Sequence, residues 1–232
     1  PWVEKRTVQN GVHVHDIAMW NGAHYAVGSG AEQAKWLEGS IWGHLWKSTD
    51  KGDTWEIVSK HWNAEDGDAR WTALLPVKEK LYVFGFSIKD SAPYDPPTLP
   101  NGTYTGTGLP PTVDSLPGSH PLKAARILGC WPTDDNSGVV SGIYYLQATP
   151  GYAAWRIVGD DVTPMKQFDG RTVIDVFRHS TGEVLLLTRD GVAPDNQTAT
   201  ELWQLQLWRT EDFATFDKLL DFQSGEMIES VA

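Results

Sequence analysis

The sequence has one cysteine, no run of basic residues and no long apolar stretch. The single Cys130 excludes a disulfide framework and a cysteine-based metal site. The net charge is −11 without a basic block, which argues against nucleic acid and anionic membrane surfaces as partners. No segment approaches the roughly 20 continuous apolar residues of a membrane-spanning helix, so we expect no membrane insertion. No cofactor motif is present, and we predict neither a cofactor nor a metal.

Helical periodicity is also scarce, whereas aromatic residues and turn formers are abundant. The chain contains 12 Trp among 11% aromatic residues, together with 22 Gly and 14 Pro. Aromatic residues favour β-strands, and frequent Gly and Pro keep the strands short. The composition therefore predicts an all-β protein.

A short motif, a small or turn residue followed by an apolar strand, recurs along the chain. The five copies begin at Asn10, Asp68, Ala124, Asp169 and Ser224. Their second residues, at positions 11, 69, 125, 170 and 225, are 58, 56, 45 and 55 residues apart. A second series, an aromatic residue before an alternating strand, is found at Trp2, Trp55, Trp155 and Phe216. Each repeat contains about four strand-like runs, which predicts a β-propeller with four-stranded blades of about 53 residues. A β-sandwich is the alternative, but it does not explain the repeat.

The two ends of the chain predict partial blades. The chain begins in a last-strand copy at Trp2 and ends in a first-strand copy at 226–232. We therefore expect four complete blade units plus partial units at both ends, in a single propeller domain over 1–232. An excerpt of a longer chain would have such ends. Residues 89–123, rich in Pro and Gly, are predicted to be a loop insertion in the second unit.

Residues 48–55, with the sequence STDKGDTW, match all five defining positions of the Asp-box, S-x-D-x-G-x-T-W. The chain therefore resembles the sialidase-like, BNR-repeat β-propellers. A degenerate, shorter copy carries Thr210, Asp212 and Phe216. The resemblance implies a turn between the third and fourth strands, on the face opposite the usual ligand site. The defining residues Ser48, Asp50, Gly52, Thr54 and Trp55 are interpreted as structural, because Asp, Gly and hydroxyl side chains suit a tight turn.

Three arginines raise the question of catalysis. Arg70, Arg126 and Arg171 occupy one column of the blade-start alignment. Sialidases use an arginine triad, so these three could converge on an anion; alternatively, each could pair with a neighbouring Asp such as Asp68 or Asp169. The proline of the sialidase R-I-P motif is missing after Arg126–Ile127 and after Arg156–Ile157. No residue is assigned a catalytic role.

Other residues are candidates for binding. His13 and His15 alternate on one strand, where they could ligate a metal or simply line a polar central channel. His61 and Trp62 lie in a predicted connection between blades, and with Trp36 they suit stacking and hydrogen bonding to a sugar. Asn101 and Asn196 begin Asn-x-Thr sequons, which matter only if the source glycosylates its proteins.

We predict a binding or structural propeller rather than an enzyme. Its partner would be a glycan or a protein, and it could be joined by other chains of a larger assembly. We expect an extracellular location or a virion surface, as in a phage tail. The alternatives are a sialidase-like glycoside hydrolase and a purely architectural component. The placement is an argument by analogy, because fold does not determine function.

Overall fold

A computed structural model describes residues 8, 10–30, 41–61, 68–88, 100–144, 151–190 and 203–224 of the chain. The described part of the chain forms four antiparallel sheets of four strands each. The chain divides into two compact units, Pro1–Arg126 and Ile127–Ala232, which are described separately. Among the described residues, no helix is both long enough and apolar enough to cross a bilayer.

The first unit contains two sheets whose strands follow one another in chain order. The first sheet comprises β1 (Gly11–Trp20), β2 (Ala23–Gly30), β3 (Trp42–Ser48) and β4 (Glu56–His61). The second comprises β5 (Asp68–Val77), β6 (Lys80–Ile88), β7 (Gly102–Tyr104) and β8 (Asp114–Ser115). Trp20, Tyr25, Trp71 and Tyr104 contribute large buried rings to one cluster between these sheets. Burial of such rings supplies much of the stabilisation of a core.

The second unit has the same organisation, and its first strand begins at the boundary between the units. Its sheets are β9 (Ala125–Asp134), β10 (Ser137–Tyr144), β11 (Gly151–Val158) and β12 (Asp161–Pro164), then β13 (Arg171–Arg178), β14 (Val184–Asp190), β15 (Trp203–Thr210) and β16 (Asp217–Ser224). Short 3-10 helices, Pro121–Ala124 and Lys166–Phe168, precede β9 and β13. Phe168, Val173 and Leu186 are among the buried residues of the core of this unit.

The fold class is the predicted one: all-β, with four sequentially ordered, four-stranded blades of the propeller type. Each blade begins where the first repeat series places it, at Gly11, Asp68, Ala125 and Arg171. The predicted partial units at the two ends lie outside the described residues.

Two details differ from the sequence prediction. Trp155 belongs to β11, the third strand of its sheet, rather than to the last strand, because β11 and β12 are joined by a tight turn at Gly159 and Asp160. The described part of the 89–123 segment, from residue 100, contains β7 and β8. This part of the predicted insertion therefore supplies the third and fourth strands of the second sheet.

The first box turn, residues 48–55, joins β3 to β4. The Asp50 carboxylate accepts hydrogen bonds from the Ser48 hydroxyl (2.8 Å), the Thr54 N–H (2.8 Å) and the Thr54 hydroxyl (2.6 Å). The Ser48 hydroxyl in turn accepts from the Gly52 N–H at 2.8 Å. Lys51 and Gly52 both have left-handed backbones, with φ of 60° and 88°. Hydrogen bonds from Thr54 and then Ser48 lower the pKa of Asp50 to about 2.

The second box turn, residues 210–216, joins β15 to β16 with one residue fewer. Asp212 accepts from the N–H groups of Ala214 (2.8 Å) and Thr215 (3.0 Å), and the Thr210 hydroxyl accepts from the Phe213 N–H at 2.8 Å. Phe213 alone is left-handed here, with φ of 60°. The backbone hydrogen bonds from Thr215 and Ala214 lower the pKa of Asp212.

Candidate functional site

Two arginines of the first unit neighbour the same phenylalanine. Arg70, near the start of β5, is the direct antiparallel partner of Phe86 in β6. Such partners share a face of the sheet with Cβ atoms roughly 5 Å apart. The guanidinium of Arg126 lies 4.5 Å above the centre of the Phe86 ring, a cation–π contact. Both arginines are partly exposed. We call Arg70, Phe86 and Arg126 the arginine cluster.

Asn101 holds the backbone on both sides of this cluster in place. Its side-chain oxygen accepts from the Gly85 N–H at 3.1 Å, directly before Phe86. Its side-chain nitrogen donates to the carbonyl of Leu122 at 2.7 Å and to that of Ala125, directly before Arg126, at 2.8 Å. The Asn101 residue is fully buried. A glycan on this sequon is incompatible with the folded chain, and Asn101 is instead a positioning residue.

Two histidines adjoin Arg70. The rings of His13 and His15 are stacked with centres 5.9 Å apart, and the His13 ring contacts the Ser29 hydroxyl at 3.2 Å. His15 is the extra residue of a bulge in β1 between Val14 and Asp16. Burial, followed by the positive charge of Arg70 and by His13, lowers the pKa of His15. The positive character at Arg70 therefore extends to β1.

Asp16 connects the first strands of the two sheets at this point. Its two carboxylate oxygens accept from the N–H groups of Ile17 and Leu74, each at 2.8 Å. The hydrogen bond to Leu74 therefore ties β1 to β5 at the residue after His15. Burial raises the pKa of Asp16, against the opposing effect of these hydrogen bonds. Both oxygens are occupied by backbone donors, so Asp16 serves as a link between strands.

The arginine cluster has capacity for an anion. In the part of the chain that the structure describes, neither Arg70 nor Arg126 forms a salt bridge with a carboxylate. The Arg70 Nε is buried and has no hydrogen-bond partner there. A buried donor without a partner costs free energy, which a bound acceptor would recover. No group of three or more potential metal ligands occurs among the described residues.

Arg171, the third arginine of the predicted column, is engaged within its own sheet in the second unit. Its guanidinium donates to the Thr188 hydroxyl (3.1 Å), the Gln204 carbonyl (3.0 Å) and the Asp190 carboxylate (3.0 Å). The last of these contacts is a salt bridge, of the kind that the alternative interpretation expects, although the acid is not a neighbour in sequence. Arg171 therefore differs from Arg70 and Arg126 in its surroundings.

Of the predicted sugar-stacking residues, only His61 lies in the described part of the chain. It ends β4, with its ring 6.1 Å from the buried ring of Trp71. Trp36 and Trp62 lie outside the described residues. Sequence reasoning missed Phe86, and it considered Asn101 only as the start of a sequon. The only available signals were the alternation of Tyr82, Phe84 and Phe86 along one strand and an Asn-Gly pair within a Pro-rich segment.

Comparison with known proteins gives the fold alone. No family model and no curated protein matches the chain. Among solved structures, the sialidase of Trypanosoma rangeli, in complex with 2,3-difluorosialic acid, aligns with a TM-score of 0.51 and 14% identity. The alignment covers 93% of this chain and 38% of the sialidase. A Penicillium chrysogenum α-L-arabinanase complexed with arabinobiose aligns with a TM-score of 0.46 and 13% identity. That alignment covers 86% of this chain and 64% of the arabinanase.

The alignment with the sialidase agrees with the β-propeller fold described above. The chain spans less than two thirds of the length of either protein. At such identities the likeness concerns the backbone, and the chemistry of the site has to be argued from its own residues.

Proposed function

We propose that this chain is a glycan-binding propeller module that recognises a carboxylate-bearing sugar through the arginine cluster. The observation that carries the proposal is that Arg126 lies over the partly buried Phe86 ring and Arg70 is the cross-strand partner of Phe86, while neither arginine has a carboxylate partner in the described part of the chain. Guanidinium groups bind carboxylates with two parallel hydrogen bonds, and an aromatic ring supports the apolar face of a sugar.

Binding without cleavage is part of the proposal. Glycoside hydrolysis requires two opposed carboxyl groups, one of which must donate a proton. Asp16, the acid beside His15, has both oxygens occupied by backbone N–H groups. The proposal includes deployment outside the cell or at a virion surface, where glycan ligands are displayed.

The test compares acidic and neutral oligosaccharides by isothermal titration calorimetry. Oligogalacturonate is expected to bind the chain and to weaken about tenfold or more in Arg70→Gln and in Arg126→Gln, because a charge-assisted hydrogen bond is lost. Arg189→Gln is the matched control, since the guanidinium of Arg189 lies 4.7 Å over Trp203 in a comparable contact elsewhere. Equal affinity for neutral oligosaccharides, or unchanged binding in both cluster variants, would contradict the proposal.

Acidification provides a second measurement at the same site. A bound carboxylate would raise the pKa of His15, which is lowered in the free chain, so binding takes up a proton. Affinity for the acidic ligand should therefore increase as the pH falls through the range in which His15 takes up its proton. His15→Asn should remove this increase and leave the affinity at pH 8 nearly unchanged. The charged and titratable groups that enter this balance are Arg70 and His13.

A further inference from the structure

The second unit contains a cavity that the proposed function does not use. It has a volume of about 340 Å³ and opens between the end of β11, the segment 163–167 and the second box turn. Its charged and polar lining comes from Arg156, Thr163, Lys166 and Gln167, and its apolar lining includes Met165, Phe213 and Phe216. This volume matches the lower range of pockets for small organic ligands, which are apolar with a few polar groups.

Arg156 is fixed in this cavity by contacts to the second box turn. Its guanidinium lies 4.3 Å over the Phe213 ring, and its Nη1 donates to the Asp212 carbonyl at 3.2 Å. The described residues give it no carboxylate at salt-bridge distance. Asp134 is close enough for Arg156 to contribute to lowering its pKa, but that carboxylate accepts from Ser137 and lies 3.7 Å from Arg178. The Asp212 carboxylate is likewise occupied by its own turn.

The backbone of Phe213 is unusual for such a residue. Five described non-glycine residues have positive φ, and Phe213 is the only aromatic one; the others are Asn10, Asn21, Lys51 and Lys78. A bulky side chain in the left-handed region is strained, and strain of this kind is concentrated at binding sites. Here it is maintained by the Thr210 and Asp212 hydrogen bonds, and the ring is directed against Arg156.

From this geometry we infer a second ligand site, for a carboxylate carried on a ring of about monosaccharide size. The carboxylate binds Arg156 and Lys166, and the ring packs on Phe213 and Phe216 with Gln167 available for hydrogen bonding. A planar guanidinium already held by stacking loses little freedom when it binds a carboxylate. The ring can be an aromatic or a sugar, since both present an apolar face to a phenyl group.

The experiment titrates the chain with 3-phenylpropionate and with glucuronate, each beside a neutral partner, 3-phenylpropanamide and glucose, using calorimetry. At least one acid is expected to bind at least tenfold more tightly than its neutral partner. Arg156→Gln should reduce that affinity by about tenfold to a hundredfold, because hydrogen bonds to a charged group are lost. The acid that binds identifies the ring as aromatic or saccharide. No binding by either acid, or equal binding of acid and neutral partner, overturns the inference.

Two further variants separate the site from general effects on the fold. In Phe213→Gly, glycine adopts the positive φ of position 213 without strain, so the chain should still fold. The variant lacks the stacking ring and should lose most of its affinity for the acid. Lys166→Gln should weaken binding, whereas Lys218→Gln should not, because Lys218 is paired with Asp221 and lies over Trp208. Loss of binding in Arg70→Gln but not in Arg156→Gln would assign the acid to the arginine cluster and overturn this second site. The opposite pattern would support it, whatever the fate of the proposed function.

Discussion

The two box turns are both closed by a hydroxyl that accepts a backbone N–H, but they contain different numbers of residues. In the first, the Ser48 hydroxyl reaches the N–H of Gly52, four residues later. In the second, the Thr210 hydroxyl reaches the N–H of Phe213, three residues later. The longer turn uses two left-handed residues and the shorter uses one. The carboxylates of Asp50 and Asp212 bind turn donors in both cases.

The comparison shows what the glycine of the box provides. Lys51 and Phe213 occupy the same place after the aspartate and have the same φ of 60°. Gly52 supplies the second left-handed residue, which a side chain would strain. When that residue is missing, as in the second turn, the box remains closed but an aromatic residue takes the left-handed position. The deletion therefore changes what the turn presents to its surroundings.

Removing the hydroxyl that closes each turn should have the largest effect. Ser48→Ala leaves the Gly52 N–H without an acceptor in a buried setting and should cost about 1–3 kcal/mol in the free energy of unfolding. Thr210→Val should cost less, because the Phe213 N–H is only partly buried. Urea denaturation followed by tryptophan fluorescence measures both. Equal costs would show that the two hydroxyls contribute alike.

Exchanging the left-handed residues should give smaller effects that differ between the turns. Gly52→Ala should lower the free energy of unfolding by about 1–2 kcal/mol, because a φ of 88° is unfavourable for alanine. An added Cβ would lie 3.7 Å from the Trp55 ring, so the cost is conformational rather than steric. Phe213→Gly should cost less than Gly52→Ala, because relief of strain offsets the lost ring contacts. The same denaturation experiment measures both changes, and a larger cost for Phe213→Gly would contradict this account of the backbone.

The smallest predicted effect is a change in how stability depends on pH between pH 4 and 2. Hydrogen bonds from Thr54 and Ser48 lower the pKa of Asp50 to about 2, below the value of about 4 in an unfolded chain. Its contribution to stability is therefore present above pH 4 and is lost as the pH falls towards 2. Asp50→Asn should flatten the pH dependence of the urea midpoint between pH 4 and 2 more than Asp212→Asn does. Asp50 accepts on both oxygens, whereas the three donors to Asp212 share one. Identical curves for the two variants would contradict the difference.

Features determined by local pattern were predictable from the sequence. A turn residue followed by an apolar strand marked all four blade starts to within two residues. The strand of Trp155 was wrongly predicted, because a two-residue hairpin after β11 leaves no box to mark the strand boundary. β7 and β8 are only three and two residues long, too short for a pattern to emerge from a Pro-rich segment.

The sites were less predictable because they depend on contacts between distant segments. Arg70 and Arg126 were candidates from their column, but their shared neighbour Phe86 depends on the register of β5 and β6. Arg156 was identified only as lacking a motif proline. Its stacking on Phe213 involves the shortened second box turn, whose Asp212 lies 56 positions further along the chain. A local sequence pattern cannot predict such a contact.

The burial of Asn101 has a consequence for how the protein ages chemically. An asparagine before glycine is prone to deamidate when the next backbone nitrogen attacks its side-chain carbonyl, a reaction that needs freedom of the side chain. Asn101 precedes Gly102, yet its oxygen and nitrogen are both held by backbone groups and its surface is fully covered. Native packing therefore protects this amide, while each unfolding event exposes it. Conversion to aspartate would direct a carboxylate at two carbonyl oxygens, so damage acquired while unfolded would hinder the return to the native fold.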